Sequence, residues 1–227
     1  MRNLVFYFCI LTMVSCKPIQ KITYNTDKLK TLEISNNLNL SLSIQTFGDI
    51  RSESEMNEIQ LVSKQWNAKI DGKQSCINSE VLYKIPVAEQ MTAIFAQHIE
   101  KQLPQIKVFI NQKENADYHL EANIKHFSGI QKFSTSAAIG AQFGLIGALA
   151  TANAKTHGKI IIELTDIKLF DKQNNLISSV GDLRKEYEGE FPADANCLCI
   201  YQNVNQKLSE FNEELIKLLL LEIQNKE

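Results

Sequence analysis

Residues 158–191 constrain the fold most, because they predict two long antiparallel strands joined by a polar loop. Polar residues separate the apolar positions of the first strand, which are Ile160, Ile162, Leu164, Ile167 and Leu169. A period of two indicates a strand with one buried face. The buried face changes at Thr165 and Asp166, so we expect a β-bulge there. Residues 171–175 are the predicted hairpin loop, and the return strand continues towards Phe191.

Two amphipathic helices are predicted to cover this hairpin. The first begins near Pro86, a residue suited to a first helical turn, and Pro104 ends it. Its apolar face consists of Val87, Met91, Ile94, Phe95, Ile99 and Leu103. The second helix ends the chain, and its apolar face consists of Ile200, Val204, Leu208, Phe211, Leu215 and Leu218, widened by Leu219, Leu221 and Ile223. Both faces follow the helical period.

Five shorter strands complete the predicted elements. Residues 38–44 alternate strictly, residues 58–63, 73–78 and 116–124 predict three more strands, and the apolar run at 106–110 indicates a buried one. The order of strand, helix, strands, hairpin and helix favours an α+β fold. We expect a two-layer sandwich, in which a mostly antiparallel or mixed sheet carries two main helices on one face. A chain of 227 residues has room for one such domain, residues 38–227.

Residues 1–15 have the layout of a secretory signal, with Arg2 followed by an apolar run that closes on Ser15. Cys16 follows directly, so the segment resembles a bacterial lipoprotein signal, in which small residues precede an invariant cysteine. The resemblance implies cleavage before Cys16 and lipidation of that residue. An ordinary secretory signal and an uncleaved anchor are the alternatives. Residues 16–37 are polar and would form a lipidated tether between the membrane and the domain.

Charge and the residue after the anchor indicate where such a protein would reside. Lys17, rather than aspartate, follows Cys16. In the enterobacterial sorting pattern this implies a lipid-anchored envelope protein at the outer membrane that faces the periplasm. The chain carries 24 basic and 26 acidic side chains. This balance excludes the basic field that nucleic acid or an anionic membrane surface would require. Contact with the bilayer would therefore depend on the acyl chains of Cys16.

The remaining cysteines predict a cross-link rather than a metal site. Cys9 leaves with the signal and Cys16 is lipidated, which leaves Cys76, Cys197 and Cys199. Export permits a disulfide between Cys76 and either Cys197 or Cys199, whereas the latter two are too close for an easy bridge. Buried thiols are the alternative. A Cys-x-Cys pattern without a nearby histidine is weak as a zinc site, so no metal is expected.

The sequence contains no recognisable catalytic set. The histidines are His98, His119, His126 and His157, and none has a metal-binding spacing. His119 and His126 differ in parity, so on one regular strand they would face opposite sides. No Gly-x-Ser-x-Gly motif and no phosphate-binding loop occurs. We therefore expect no cofactor and no enzymatic activity. A Ser/His contact in a polar cleft would instead indicate an unrecognised hydrolase.

Two short motifs resemble those of a known family. They are Phe-x-Asp-x-Arg at residues 47–51 and Ala-Asp-Tyr at residues 116–118. With the helix and the long hairpin, they resemble the YajG-like family of small bacterial envelope lipoproteins. More loosely, they are similar to the α/β domain of the curli-secretion pore subunit. The resemblance implies an outer-membrane lipoprotein with no established activity and no catalytic residues. We expect Asp49 and Arg51 to fix a loop, with ligand binding as the alternative.

Residues 133–154 contain no charged residue and are rich in alanine and glycine. Gly140, Gly144 and Gly147 have a spacing that lets helix backbones approach closely. Three hypotheses follow: an excursion, part loop and part helix, packed on its own domain; a helix for self-association or partner docking; or a membrane-inserting hairpin, as the curli-pore resemblance would imply. Weak hydrophobicity and the lack of clean alternation disfavour the third hypothesis.

These features together predict a membrane-anchored bacterial envelope lipoprotein that is a non-enzymatic binding, scaffolding or accessory component. Its expected partners are the lipid bilayer, through acylated Cys16, and another envelope protein, with nucleic acid excluded. The alternative is a homo-oligomeric transport or secretion component that uses residues 133–154 for self-association or membrane insertion.

Overall fold

The computed structural model describes residues 40–52, 68–70, 73–77, 85–142, 153–193, 197 and 199–224. Within them eight strands form one mixed sheet: β1 Ser41–Ile44, β2 Gly48–Asp49, β3 Ala68–Ile70, β4 Lys73–Ile77, β5 Lys107–Ile110, β6 Tyr118–Lys132, β7 Lys155–Asp171 and β8 Leu176–Pro192. The helices of the same part of the chain are α1 Val87–Gln102, α2 Thr135–Gln142 and α3 Cys199–Gln224, with a 3-10 turn at Lys113–Asn115. The predicted strand at residues 58–63 lies outside the part of the chain that the structure describes.

Strand β6 organises the sheet because it pairs with four other strands, β1, β2, β4 and β7. On one edge, β1 and β2 run parallel to its first half, with Ile44 opposite Leu120 and Asp49 opposite Ile124. β4 pairs antiparallel with its last residues, and β3 continues outward from β4. Along the other edge lies β7, followed by β8 as the outermost strand. β5 lies outside β1 and runs parallel to it.

The helices α1 and α3 pack against each other and against one face of the sheet. Both helices contribute fully buried aromatic side chains, Phe95 and Phe211, to one continuous apolar core. The main sheet residues of this core are Leu42, Ile44, Leu120, Ile124, Ile160, Ile162, Leu164, Ile167 and Leu169. Each large apolar side chain buried in this way contributes roughly 1.5–3 kcal/mol. The predicted layer of two main helices on a mixed sheet is confirmed.

The boundaries of α1 match the prediction, since it starts after Pro86 and its last residue precedes Leu103. Two details of the predicted core were wrong. Leu221 of α3 is 55% exposed, because it lies two residues from buried Leu219 and therefore on the opposite side of the helix. Strand β5 is not a buried strand: Lys107 and Ile110 are exposed, and among the described strands β5 is an edge strand that pairs with β1 alone.

Two of the register shifts in the sheet decide which side chains of β6 and β7 share a face. The predicted bulge in the hairpin is confirmed: the register shifts between Leu164 and Ile167, and Asp166 has a left-handed φ of 53°. A second shift, which the sequence pattern did not predict, lies in β6 between Ile124 and His126. One extra residue reverses the parity of everything that follows it. His119 and His126 therefore lie on the same face, and the prediction of opposite faces was wrong.

Side chains lock the two ends of the sheet. At the start of β6, the Asp117 carboxylate accepts hydrogen bonds from the Ser41 amide at 2.9 Å and the Ser41 hydroxyl at 2.7 Å. These bonds lower the pKa of Asp117. At the other end, a disulfide joins Cys76 of β4 to Cys197, before α3. It closes a loop with a sequence separation of 121, which in the chain-entropy account stabilises by roughly 4–5 kcal/mol.

Candidate functional site

The candidate functional site is the face of β6, β7 and β8 that lies opposite α1 and α3, and we name it the polar face. It is built from the alternate residues of the same strands that supply the core. Its main side chains are His119, Glu121, Asn123, Lys125, His126, Lys159, Glu163, Asp182, Arg184, Glu186 and Glu188. Antiparallel pairing places them in rows across three strands, so side chains distant in sequence become neighbours.

Glu163 is the centre of the polar face. It is only 3% exposed, although it is a carboxylate on the side away from the helices. Its Oε1 lies 2.9 Å from Lys125 Nζ, its Oε2 accepts a hydrogen bond from the Arg184 guanidinium, and His126 Nε2 lies 3.8 Å away. Burial raises the pKa of Glu163, but the bonds and charges of Lys125 and Arg184 outweigh it and keep the pKa below its ordinary value. Glu163 is therefore charged at neutral pH.

The ion pairs continue across β7 and β8 as a ladder of alternating sign. The Arg184 guanidinium also donates to Glu186, whose other oxygen lies 2.5 Å from Lys159 Nζ. Hydrogen bonds from Lys159 and Arg184 lower the pKa of Glu186 to about 2. One row further, His157 Nε2 lies 3.1 Å from Glu188. The ladder thus joins charged groups of opposite sign along the neighbouring strands β7 and β8.

The bulge in β7 adds a second cluster to the polar face. The Thr165 hydroxyl donates to Asp182, whose Oδ1 also accepts from the Asp166 amide at 3.3 Å. The bond from Thr165 is the main reason that the pKa of Asp182 is lowered. On the neighbouring strands, the Asn123 amide lies over Gly48, where an added Cβ would come within 2.2 Å of Asn123 Oδ1. Gly48 therefore leaves space for this side chain.

Ser43, His119 and Glu121 form the arrangement closest to a nucleophilic site. The parallel register places Ser43 opposite His119, and His119 Nε2 lies 2.9 Å from Glu121 Oε1. However, Ser43 and His119 are each only 2% exposed. Ser43 Oγ accepts from the Gln112 amide at 3.2 Å, while His119 Nδ1 is buried without a hydrogen-bond partner and its ring stacks on Phe170. No Ser–His hydrogen bond is therefore formed between these described residues.

Asp49, the last residue of β2, contacts Arg51 two residues further along the chain. Arg51 donates from Nε at 2.9 Å and from Nη2 at 2.6 Å to the two oxygens of Asp49. This bidentate bond is the main reason that the pKa of Asp49 is lowered. Arg51 is 4% exposed, so its guanidinium is directed into the fold rather than towards solvent. The geometry is that of a pair that fixes a loop.

The structure describes the other predicted site residues only in part. Cys76 pairs with Cys197, and Cys199, the first residue of α3, lies outside this disulfide. The uncharged segment is helical over residues 135–142, which form α2, and Gly140 is buried within this helix. Cys16, Gly144 and Gly147 lie outside the described residues.

The described residues contain neither a metal-binding cluster nor a membrane-spanning helix. No group of three or more histidine, cysteine, aspartate or glutamate side chains is arranged to hold a metal ion in this part of the chain. Within the same residues, no helix combines the length and apolar character needed to span a bilayer.

The contacts of the polar face could not be predicted from the sequence, although the position of its central residue could. The period of two in β7 places Glu163 away from the apolar side. Nothing local indicates that Lys125 and Arg184 would meet on it, because both contacts depend on strand register. Ser43 and His119 likewise become neighbours only through the parallel pairing of β1 with β6.

Comparisons with known proteins identify a similar fold but no family. No protein-family model matches the chain. No curated protein matches it either. The fold is similar to the crystal structure of a Xanthomonas campestris protein described under the family DUF330, with a TM-score of 0.52 and 11% identity over 88% of this chain and 94% of that chain. At this identity the likeness shows a shared fold alone, and that fold is consistent with the YajG-like resemblance.

Two further structures are similar only at TM-scores below 0.5, and no conclusion is based on them. One is the PelC dodecamer from Paraburkholderia phytofirmans, with a TM-score of 0.34 and 10% identity over 78% of this chain and 89% of that chain. The other is a putative neuraminyllactose-binding hemagglutinin homolog from Helicobacter pylori, with a TM-score of 0.35 and 8% identity over 86% of this chain and 92% of that chain.

Proposed function

We propose that this protein is a bacterial envelope lipoprotein, anchored in the outer membrane through Cys16, whose folded part is a non-enzymatic binding component facing the periplasm. The anchor follows from the resemblance of residues 1–16 to a lipoprotein signal. The binding role rests on one structural observation: the polar face positions a ladder of charged side chains around Glu163, a buried carboxylate held by Lys125 and Arg184. Such a preorganised surface suits recognition of a charged partner.

The anchor is tested by metabolic labelling with radioactive palmitate. We expect the wild-type chain to take up label and to sediment with outer membranes, and we expect Cys16→Ala to lose both properties. The variant Cys199→Ala is the matched control, because it removes a cysteine from the folded part and should still be labelled. Label retained by Cys16→Ala would contradict the anchor.

The binding role is tested by site-specific photo-crosslinking in the native envelope. A photo-reactive residue at Ile130, which is 43% exposed and paired with Lys159 on the polar face, should give a discrete cross-linked product. The same group at Gln97, an exposed position on α1, is the control and should give none. Equal products from both positions, or none from Ile130, would contradict a role for the polar face.

A second candidate function is an oligomeric transport or secretion component that associates through residues 133–154. One observation favours it: Ile139 is 51% exposed on α2, whereas Ala137 is 5% exposed. Native mass spectrometry in detergent should then show an oligomer for the wild-type chain that Ile139→Ser weakens. A monomer in both cases would remove the support for this candidate.

A further inference from the structure

Strand β8 leaves a long edge of the sheet without a strand neighbour in the described part of the chain. It runs for 17 residues and pairs only with β7. Such an edge exposes a row of backbone N–H and C=O groups that another strand can pair with. The edge is interrupted at Gly181, which has a φ of 79°. From Leu183 to Pro192, however, the pairing with β7 has no register shift, and it continues unbroken through Gly189, whose φ is 154°.

The charges on this regular half select its partner. On the polar face, Glu186, Glu188 and Glu190 recur at every second position, and all three are exposed. In the row of β7 residues that faces them, Lys159 lies opposite Glu188 and His157 opposite Glu190, whereas Ile161 lies opposite Glu186. Directly opposed side chains of opposite charge stabilise neighbouring strands, and like charges destabilise them. A strand that pairs with the free edge of β8 is therefore stabilised when the side chains that it places beside these glutamates are basic.

For the same reason, pairing with the β8 strand of a second copy of this chain is unfavourable. Antiparallel self-pairing would bring the carboxylates of two β8 strands together, with Arg184 as the cation of that column on each copy. Arg184 already donates to Glu163 and Glu186. The acidic column thus acts against pairing of β8 with itself while it favours a basic strand.

We propose that the Leu183–Pro192 half of β8 is a docking edge for an extended segment of another protein that carries lysine or arginine at every second position. This inference rests on the proposed binding role and names its surface. The partner's backbone would extend the sheet, and its basic side chains would face Glu186, Glu188 and Glu190. Its alternate side chains would lie beside Tyr187, which is half-buried on the α3 side.

The experiment uses the full mature chain and two acetylated, amidated peptides of about ten residues. In the first peptide lysine and threonine alternate, and in the second the same residues form a lysine block followed by a threonine block. Hydrogen exchange in the presence of the alternating peptide should slow about tenfold at those amides of residues 183–191 that become newly paired, because pairing protects them. Pro192 has no amide hydrogen and gives no signal. The block peptide has the same charge and should protect this edge far less.

Two triple variants separate the edge from general attraction. The edge variant Glu186→Gln, Glu188→Gln, Glu190→Gln should weaken binding of the alternating peptide about tenfold. The control variant Glu89→Gln, Glu100→Gln, Glu114→Gln changes net charge equally at exposed positions on α1 and the 3-10 turn, and its effect should stay below about twofold.

Folding of the edge variant is checked by its melting temperature and by the single variant Glu190→Gln. That single change leaves the Lys159–Glu186 and His157–Glu188 pairs intact and should still weaken binding about twofold. Equal losses in both triple variants, equal binding of both peptides, or protection outside β8 would overturn the docking edge. None of these outcomes would affect cross-linking from Ile130, so the binding role would remain separately testable.

Discussion

Ile162 and Glu163 are neighbours in β7 and are both buried, at 0% and 3% exposure, yet they are buried for different reasons. Ile162 packs in the apolar core beneath the helices and needs no partner beyond close contact. Glu163 points to the polar face and is tolerated there because Lys125 and Arg184 balance its charge. Burial of an apolar side chain is favourable by itself, whereas burial of a charge depends on partners supplied by other strands.

The largest effect is expected on the apolar side of this comparison. Ile162→Ala should lower the free energy of unfolding by about 3–4 kcal/mol, because it removes buried methyl groups and leaves a cavity. Urea denaturation monitored by circular dichroism measures the change. Ile130→Ala is the control and should cost less than about 1 kcal/mol, since Ile130 is 43% exposed. Similar losses in the two variants would mean that the core is not continuous at Ile162.

The helix layer that covers the core should be sensitive to acid. His98 of α1 is fully buried, and burial lowers its pKa to about 4, with the Glu213 carboxylate acting in the opposite direction. The folded-state pKa lies below the ordinary value of 6.5, so the unfolded state takes up this proton first. Stability should therefore fall as the pH drops below about 6.5, by about 2 kcal/mol at pH 5, and the loss should level off below about pH 4.

Urea denaturation at pH 7.5 and pH 5 tests this sensitivity. In His98→Gln, the difference in unfolding free energy between the two pH values should shrink by about 2 kcal/mol relative to the wild type. His126→Gln is the matched control on the polar face. An undiminished pH dependence in His98→Gln would show that another group causes the acid sensitivity.

On the polar face, we expect a smaller loss of unfolding free energy, and its size depends on the ion-pair partners of the removed side chain. Glu163→Ala should lower the unfolding free energy by about 1–2 kcal/mol, because the side chains of Lys125 and Arg184 are 48% and 40% exposed and remain hydrated without it. Glu188→Ala should cost less than about 0.5 kcal/mol, since its side chain is 63% exposed. A larger loss in Glu188→Ala than in Glu163→Ala would reverse the proposed hierarchy of the ladder.

A smaller effect than that of Glu163→Ala is expected where Gly48 contacts the Asn123 side chain. Gly48→Ala should destabilise by about 1 kcal/mol, because its Cβ would meet Asn123 Oδ1 and force the amide to move. Adding Asn123→Ala should restore most of the loss in the double-mutant cycle. Additive losses in the double variant would show that Asn123 is not the obstacle.

Patterns within one stretch of chain were reliable guides to this protein. The period of two in β7, the bulge at Asp166 and the apolar faces of α1 and α3 were all predicted, and the structure contains them. These features depend on backbone sterics and on the alternation of polar and apolar residues over a few positions. Leu221 was misjudged because the helical period places it on the side opposite Leu219. The edge strand β5 was misjudged because burial also depends on which element lies beside a segment.

The partners of each strand followed from chain geometry over long separations. An unpredicted bulge in β6 brought His126 onto the face of His119, and strand register brought Lys125 and Arg184 to Glu163. The sequence likewise did not decide which cysteine pairs with Cys76, and in the fold the partner is Cys197. Residue type specifies how a segment buries its own side chains, but a contact between distant segments depends on loop closure and register, which the whole packed assembly sets together.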